Sequence, residues 1–140
     1  MTGKAQHMIY TDGAARGNPG PAASGYAIFG SDGTLIDKGA MGIGRRTNNE
    51  AEYEALILAL KRAKEFTLGD VKCHSDSELM VKQVKGVYQV KKDHLKALVD
   101  RVRAEASAFS GFKLVYVPRE NERIQLVDAL VNDELDRQGF

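Results

Sequence analysis

The chain has 140 residues, 43% of them hydrophobic and 28% charged, the balance of one globular domain spanning 1–140. Lys and Arg number 20 against 19 Asp and Glu, a formal net charge of +1, so bulk charge marks neither a polyanion binder nor an acidic tail. The longest apolar run, Ala55–Leu60, is too short for a bilayer, no apolar leader follows Lys4, and the single Cys73 lacks a partner for an internal disulfide; a cytoplasmic protein with no membrane role and with Cys73 buried in a strand is expected.

Met8–Thr11 reads as a first strand, followed by a turn-rich stretch from Gly13 to Gly20 and a second strand at Ser24–Phe29. The Ser31-Asp32-Gly33 turn leads to a third strand near Leu35–Ile43, which makes the first third an antiparallel meander. Helical periodicity then runs from Asn49 to Phe66. Asp70–Ser75 is a short strand, Ser77–Val84 a short helix, and Asp93–Ala108 a longer amphipathic helix whose opening Asp suits an N-cap. Lys113–Val117 closes the sheet, Pro118 ends that strand, a polar loop follows, and Leu126–Arg137 is the last helix. Three strands and then alternating helices and strands predict an α/β fold, a five-stranded mixed sheet with helices packed on it.

Most acidic residues are solvated surface charges, so the informative ones are those that periodicity places elsewhere. Steps of three and four from Glu52 reach Ala55, Leu56, Ala59 and Ala63, an apolar stripe, and the carboxylate therefore faces the sheet. The same steps from Glu50 reach Glu54, Ile57, Lys61 and Lys64, which assigns Glu50 and Glu54 to the solvent face. Asp12 and Asp76 each follow an apolar strand. If those strands are parallel neighbours, both acids reach the same sheet edge, where open α/β sheets bind ligands. Carboxylates held that close repel, a divalent cation relieves the repulsion, and oxygen-only ligands favour magnesium or manganese over zinc. Taken singly, Asp12 also suits a turn, Asp76 a helix cap and Asp128 the edge of an apolar stripe through Val131 and Leu135.

Asp12-Gly13, Gly17-Asn18-Pro19-Gly20, Thr47-Asn48-Asn49-Glu50-Ala51-Glu52, Ser75-Asp76-Ser77 and Asp128-Ala129-Leu130-Val131-Asn132 together resemble the ordered signature of type 1 ribonuclease H, over nearly the whole chain. The compact stretch from Gly86 to Leu95 is most similar to the short archaeal and bacterial branch that lacks the basic protrusion and the hybrid-binding domain. The resemblance implies a ribonuclease H-like fold and a monomeric endoribonuclease that hydrolyses the RNA strand of RNA/DNA hybrids to 5′-phosphate and 3′-hydroxyl ends. It implies that Asp12, Glu52, Asp76 and Asp128 are the catalytic carboxylates and hold two ions of Mg2+ or Mn2+, one activating water and the other stabilising the leaving oxygen. Asn18 and Thr47 match positions that hold a DNA phosphate, with Arg45 beside them; Asn48 and Asn49 match minor-groove contacts, and Glu78 stands where relatives carry a ribose-contacting Gln. Asn48 also suits an N-cap. The loop from Arg119 to Gln125 lacks the His that many members place there, so either Glu120, Glu122 or Arg123 stands in or the step goes unassisted.

Three other readings remain open on sequence: a nuclease of the same fold that also cuts RNA/RNA duplexes, a catalytically silent hybrid-binding module, and an α/β module in which Glu52 and Asp76 are structural. Against the second, a pure binder gains nothing from clustered like charges. Gly17–Gly20 lacks the Lys-Ser/Thr ending of a P-loop, and His7, His74 and His94 have no metal-ligand spacing. Lys82, Lys85, Lys91 and Lys92 suit either DNA backbone contacts or a solvated face.

Overall fold

The computed structural model describes residues 6–140. The stretch before Gln6, including the Lys4 flank read for a leader, lies outside the described residues. Strands β1 (Gln6–Ala15), β2 (Gly20–Phe29) and β3 (Leu35–Arg46) form the expected meander, followed by α1 (Asn48–Ala63), β4 (Asp70–Ser75), α2 (Glu78–Val84), α3 (Asp93–Ala106), β5 (Gly111–Tyr116) and α4 (Glu122–Arg137). The sheet order is β3-β2-β1-β4-β5. β1 is antiparallel to β2 and parallel to β4, and β4 is parallel to β5. The mixed five-stranded α/β architecture predicted from sequence is the one observed.

Strand alternation builds two cores. Ile9, Tyr26, Ile28, Val71 and Cys73 point to the side where α1, α2 and α3 pack, meeting Tyr53, Leu56, Leu60, Met80 and Val102. Tyr10, Ala23, Ala27 and Phe29 point the other way and meet Ile124, Val127, Val131 and Leu135 of α4. Each fully buried aliphatic side chain here stabilises by about 1.5–3 kcal/mol, so these two faces fix where every loop emerges. Cys73 is buried in β4, as its sequence context implied.

The boundaries that differ from expectation are set by backbone pairing at the strands and, at several helix starts, by side-chain caps. β1 continues to Ala15 because its pairing with β2 persists through Asp12–Gly25 and Ala15–Ala22, so the predicted turn shrinks to the residues between Ala15 and Gly20. Thr47, not Asn48, caps α1: its side chain accepts from the Glu50 N–H while the Glu50 carboxylate accepts from the Thr47 N–H. α1 closes at Ala63 rather than Phe66, tightening into an Arg62–Glu65 backbone turn. Ser77 caps α2, which removes the capping alternative for Asp76. Lys92 occupies the cap position of α3, and Asp93 is its first helical residue, where its charge suits the helix dipole. Helix α4 starts at Glu122, four residues early, because the Asn121 side chain accepts from the Arg123 and Ile124 N–H groups.

Candidate active site

β1 and β4 run side by side only as far as Tyr10–His74. Beyond that point β4 turns at Ser75 into α2, while β1 carries on beside β2, and the gap that opens receives the carboxylates. Asp12 stands on β1 opposite Gly25, almost fully buried; Asp76 lies in the connection to α2, half-buried. Glu52 comes from the first turns of α1, its Oε1 accepting from the Gly13 N–H at 3.0 Å. That close approach needs glycine: a Cβ at Gly13 would sit 2.3 Å from the Ala51 carbonyl. One oxygen from each of Asp12, Glu52 and Asp76 lies within 4.8 Å of the others.

The electrostatics follow from burial and like charge. The Asp12 carboxyl is pushed up to about 8, first by burial and then by the Asp76 and Asp128 charges. Glu52 is held well above the ordinary carboxylate range by burial, then by Asp12 and Asp76, with the Gly13 N–H pulling the other way. Burial also raises Asp76, offset by the Arg119 charge. Asp128 sits on α4 beside the Val127 and Val131 stripe and bears on Asp12 through charge and a side-chain hydrogen bond, but stands outside the compact set of three. Clustered, poorly solvated carboxylate oxygens that resist ionising together are the donor set of a hard divalent cation, so these residues fit magnesium or manganese.

A groove of about 470 Å³ is lined by Asn18, Thr47, Asn49, Gln83, Lys91, Lys92 and His94, among others. Three of the predicted substrate residues, Asn18, Thr47 and Asn49, therefore meet. Asn48 braces the groove from behind: its backbone N–H donates to Asn18 Oδ1 at 3.0 Å and its own Oδ1 accepts from the Ala15 N–H at 2.8 Å. Arg45 is on exposed β3 opposite Pro21 and is not among the lining residues, while Glu78 is exposed and paired with Lys82 at 3.3 Å. Sequence reasoning missed Gln83, whose Oε1 accepts from the buried Tyr53 hydroxyl at 2.7 Å and from Asn49 Nδ2 at 3.4 Å. A polar residue beside Met80 and Val84 on the apolar face of a short helix was the available signal.

The solvent assignment of Glu50 and Glu54 is corrected too. Glu50 completes the α1 capping box, and Glu54 pairs with Arg101 at 3.3 Å because α3 crosses the outer face of α1. Among the stand-ins for the absent loop His, Arg123 is occupied: its guanidinium lies 3.8 Å from the Phe29 ring centroid and 5.4 Å from that of Tyr10. Arg119, exposed at the start of that loop, is the cation that acts on Asp76.

A family model described as reverse transcriptase-like matches residues 10–134. Ribonuclease HI of Halobacterium salinarum is 43% identical over 128 residues, covering 91% of this chain and 63% of that protein. The crystal structure of RNase H1 from the same archaeon superposes with a TM-score of 0.89 at 41% identity, covering 94% of this chain and 98% of the other. The chain belongs to the type 1 ribonuclease H family. A second ribonuclease H1 structure, LC11-RNase H1 in complex with RNA/DNA hybrid, matches with a TM-score of 0.87 at 39% identity over 94% of this chain and 98% of that one. The bifunctional protein Rv2228c of Mycobacterium tuberculosis is 38% identical over 130 residues, 92% of this chain but 35% of its own length. The chain thus spans 63% and 35% of these two relatives, and it superposes on the N-terminal RNase H domain of Rv2228c with a TM-score of 0.87. Among the described residues, no helix is long and apolar enough to cross a membrane.

Proposed function

We propose that this ribonuclease H family member is an endoribonuclease that hydrolyses the RNA strand of RNA/DNA hybrids, leaving 5′-phosphate and 3′-hydroxyl ends. The observation that carries the reading is the convergence of Asp12, Glu52 and Asp76 within 4.8 Å at the end of the β1–β4 pairing. Asp12, Glu52 and Asp76, with Asp128 at the rim, would hold two Mg2+ or Mn2+ ions, and these supply an activated water and charge neutralisation at the leaving oxygen. The chain's own groups do the rest. The Gly13 N–H orients Glu52, burial keeps the acids poorly solvated until a cation arrives, and no protein nucleophile is required. The groove at Asn18, Thr47 and Asn49 offers hydroxyl and amide groups to a phosphate and to a minor groove without demanding a sequence, and Lys91 and Lys92 add positive charge. Arg45 and Glu78 stand at its periphery.

LC11-RNase H1, which shares 39% identity, is known in complex with an RNA/DNA hybrid, and that supports the same substrate here. We take the unit as one domain, a monomer acting in the cytoplasm. Labelled RNA/DNA, RNA/RNA and DNA/DNA duplexes incubated with magnesium or manganese, followed by analysis of product ends, test the proposal. Cleavage of the RNA strand of the hybrid alone is the expected result. Cutting of RNA/RNA duplexes as well would widen the substrate class, whereas hybrid binding without cleavage in either metal would reduce the protein to a binding module.

A further inference from the structure

A cavity of about 640 Å³ shares no lining residue with the acid cluster. It lies between the edge strand β5 and the carboxyl ends of α2 and α3, and its floor includes Val84, Ala106, Phe112 and Leu114. Three features distinguish it. First, the consecutive residues Phe112, Lys113, Leu114 and Val115 all line it, although successive side chains of a strand point to opposite faces, so the wall is the main-chain edge of β5 itself. Second, among the described residues β5 pairs with β4 alone, which leaves its outer row of N–H and C=O groups available to another strand. Third, Lys85, Arg103 and Lys113 line the cavity with no acidic residue among the lining positions.

We propose that this groove docks an extended acidic peptide segment of a partner protein, added to the sheet as a strand alongside β5. The open ladder recognises the peptide main chain, alternate apolar side chains of the peptide fill the Phe112–Leu114 floor, and its carboxylates meet Lys85, Arg103 and Lys113. Arg103 is already braced for this, with Nη2 donating to the Val84 carbonyl at 3.2 Å, which holds the guanidinium at the rim. A nucleic acid matches the positive charge but has no main-chain ladder to offer β5 and no aliphatic side chains for the floor. The site is independent of the catalytic proposal, since none of its lining residues belongs to the acid cluster or to the Asn18–Thr47–Asn49 groove.

The test uses a fluorescein-labelled peptide of about ten residues in which Glu alternates with Val and Phe, titrated with the full chain and followed by anisotropy. Binding is expected to weaken with salt and to fall by about tenfold or more in the double variant Lys113→Glu, Ser107→Glu, whose fold is checked by circular dichroism. Two further peptides, N-methylated at even or at odd positions, probe the ladder. A strand presents alternate N–H groups to its neighbour, so one methylated peptide should lose binding and the other keep it. Amide resonances of 112–115 should shift on titration. Equal binding by both methylated peptides would overturn strand addition, and binding no tighter than that of a Lys-for-Glu peptide would overturn the charge argument. Displacement of the acidic peptide by oligothymidylate at equal concentration would make the face a nucleic-acid surface instead.

Discussion

Asp12 is almost fully buried, bears the charges of Asp76 and Asp128, and is pushed up to about 8. Asp12→Asn keeps its shape but removes the charge a cation needs, so hybrid cleavage should fall by orders of magnitude in a steady-state assay at saturating magnesium. Near-native turnover would remove Asp12 from the site. Glu50 shows where side-chain reasoning from helical phase stops. Phase put Glu50 in solvent, yet its carboxylate closes the Thr47 capping box. Glu50→Gln preserves that box and should leave stability unchanged, whereas Glu50→Ala should cost about 1 kcal/mol in chemical denaturation. Equal midpoints for the two variants would show that the box contributes nothing. Glu52, by contrast, was legible because an acid on the stripe of Ala55, Leu56 and Ala59 has only the sheet to face. Gln83 left only the weaker signal of one polar residue on the apolar face of α2, and its partners Tyr53 and Asn49, reached across to α1, leave no trace in the sequence.

At the level of elements, the parallel pairing of β1 with β4 meets the condition under which Asp12 and Asp76 share a sheet edge, while the strand order has no signature in the apolar runs. Element ends could not be anticipated where one side chain reaching a backbone group decides them, as Asn121 does for α4. Asn121→Ala should fray the first turn of α4 and cost about 1 kcal/mol, read from denaturation and from faster hydrogen exchange at Arg123 and Ile124. The junction of β1 with α1 is stricter. A Cβ on Gly13 meets the Ala51 carbonyl and the Glu52 N within 2.7 Å, so Gly13→Ala must push the helix off the strand. The same displacement breaks the Gly13–Glu52 hydrogen bond, so the variant should lose stability by more than about 1 kcal/mol and lose hybrid cleavage along with it. A variant that is fully stable but inactive would confine the effect to Glu52, and one that keeps both would show that α1 yields without cost.

For the molecule as a whole, the acid cluster sets a conflict between folding and activity that pH and metal should expose. In the unfolded chain Asp12 titrates near its ordinary 3.8, while in the folded, metal-free protein it resists ionising until about 8. A folded-state value raised above the unfolded one gives a stability contribution fully present below the unfolded value and lost as pH rises through the folded one. Burial and repulsion raise Glu52 and Asp76 in the same direction, so they add to the trend. In chelator, the melting temperature should therefore fall as pH rises from about 4 to about 8, and Asp12→Asn should flatten that decline. Asp76→Asn should melt a few degrees above the native protein in chelator near neutral pH, because one repelling charge is gone while the Ser77 cap of α2 remains. The exposed Asp133 on α4 provides the surface control. Millimolar magnesium should raise the native melting temperature by mass action, more so at the alkaline end where ionisation no longer opposes binding, and should raise both Asn variants less. Calorimetric scans of native protein, Asp12→Asn, Asp76→Asn and Asp133→Asn, each in chelator and in magnesium across this pH range, check every step. Melting curves independent of pH in chelator, or an equal magnesium response in all four proteins, would mean that these carboxylates are held by the fold for reasons other than a cation.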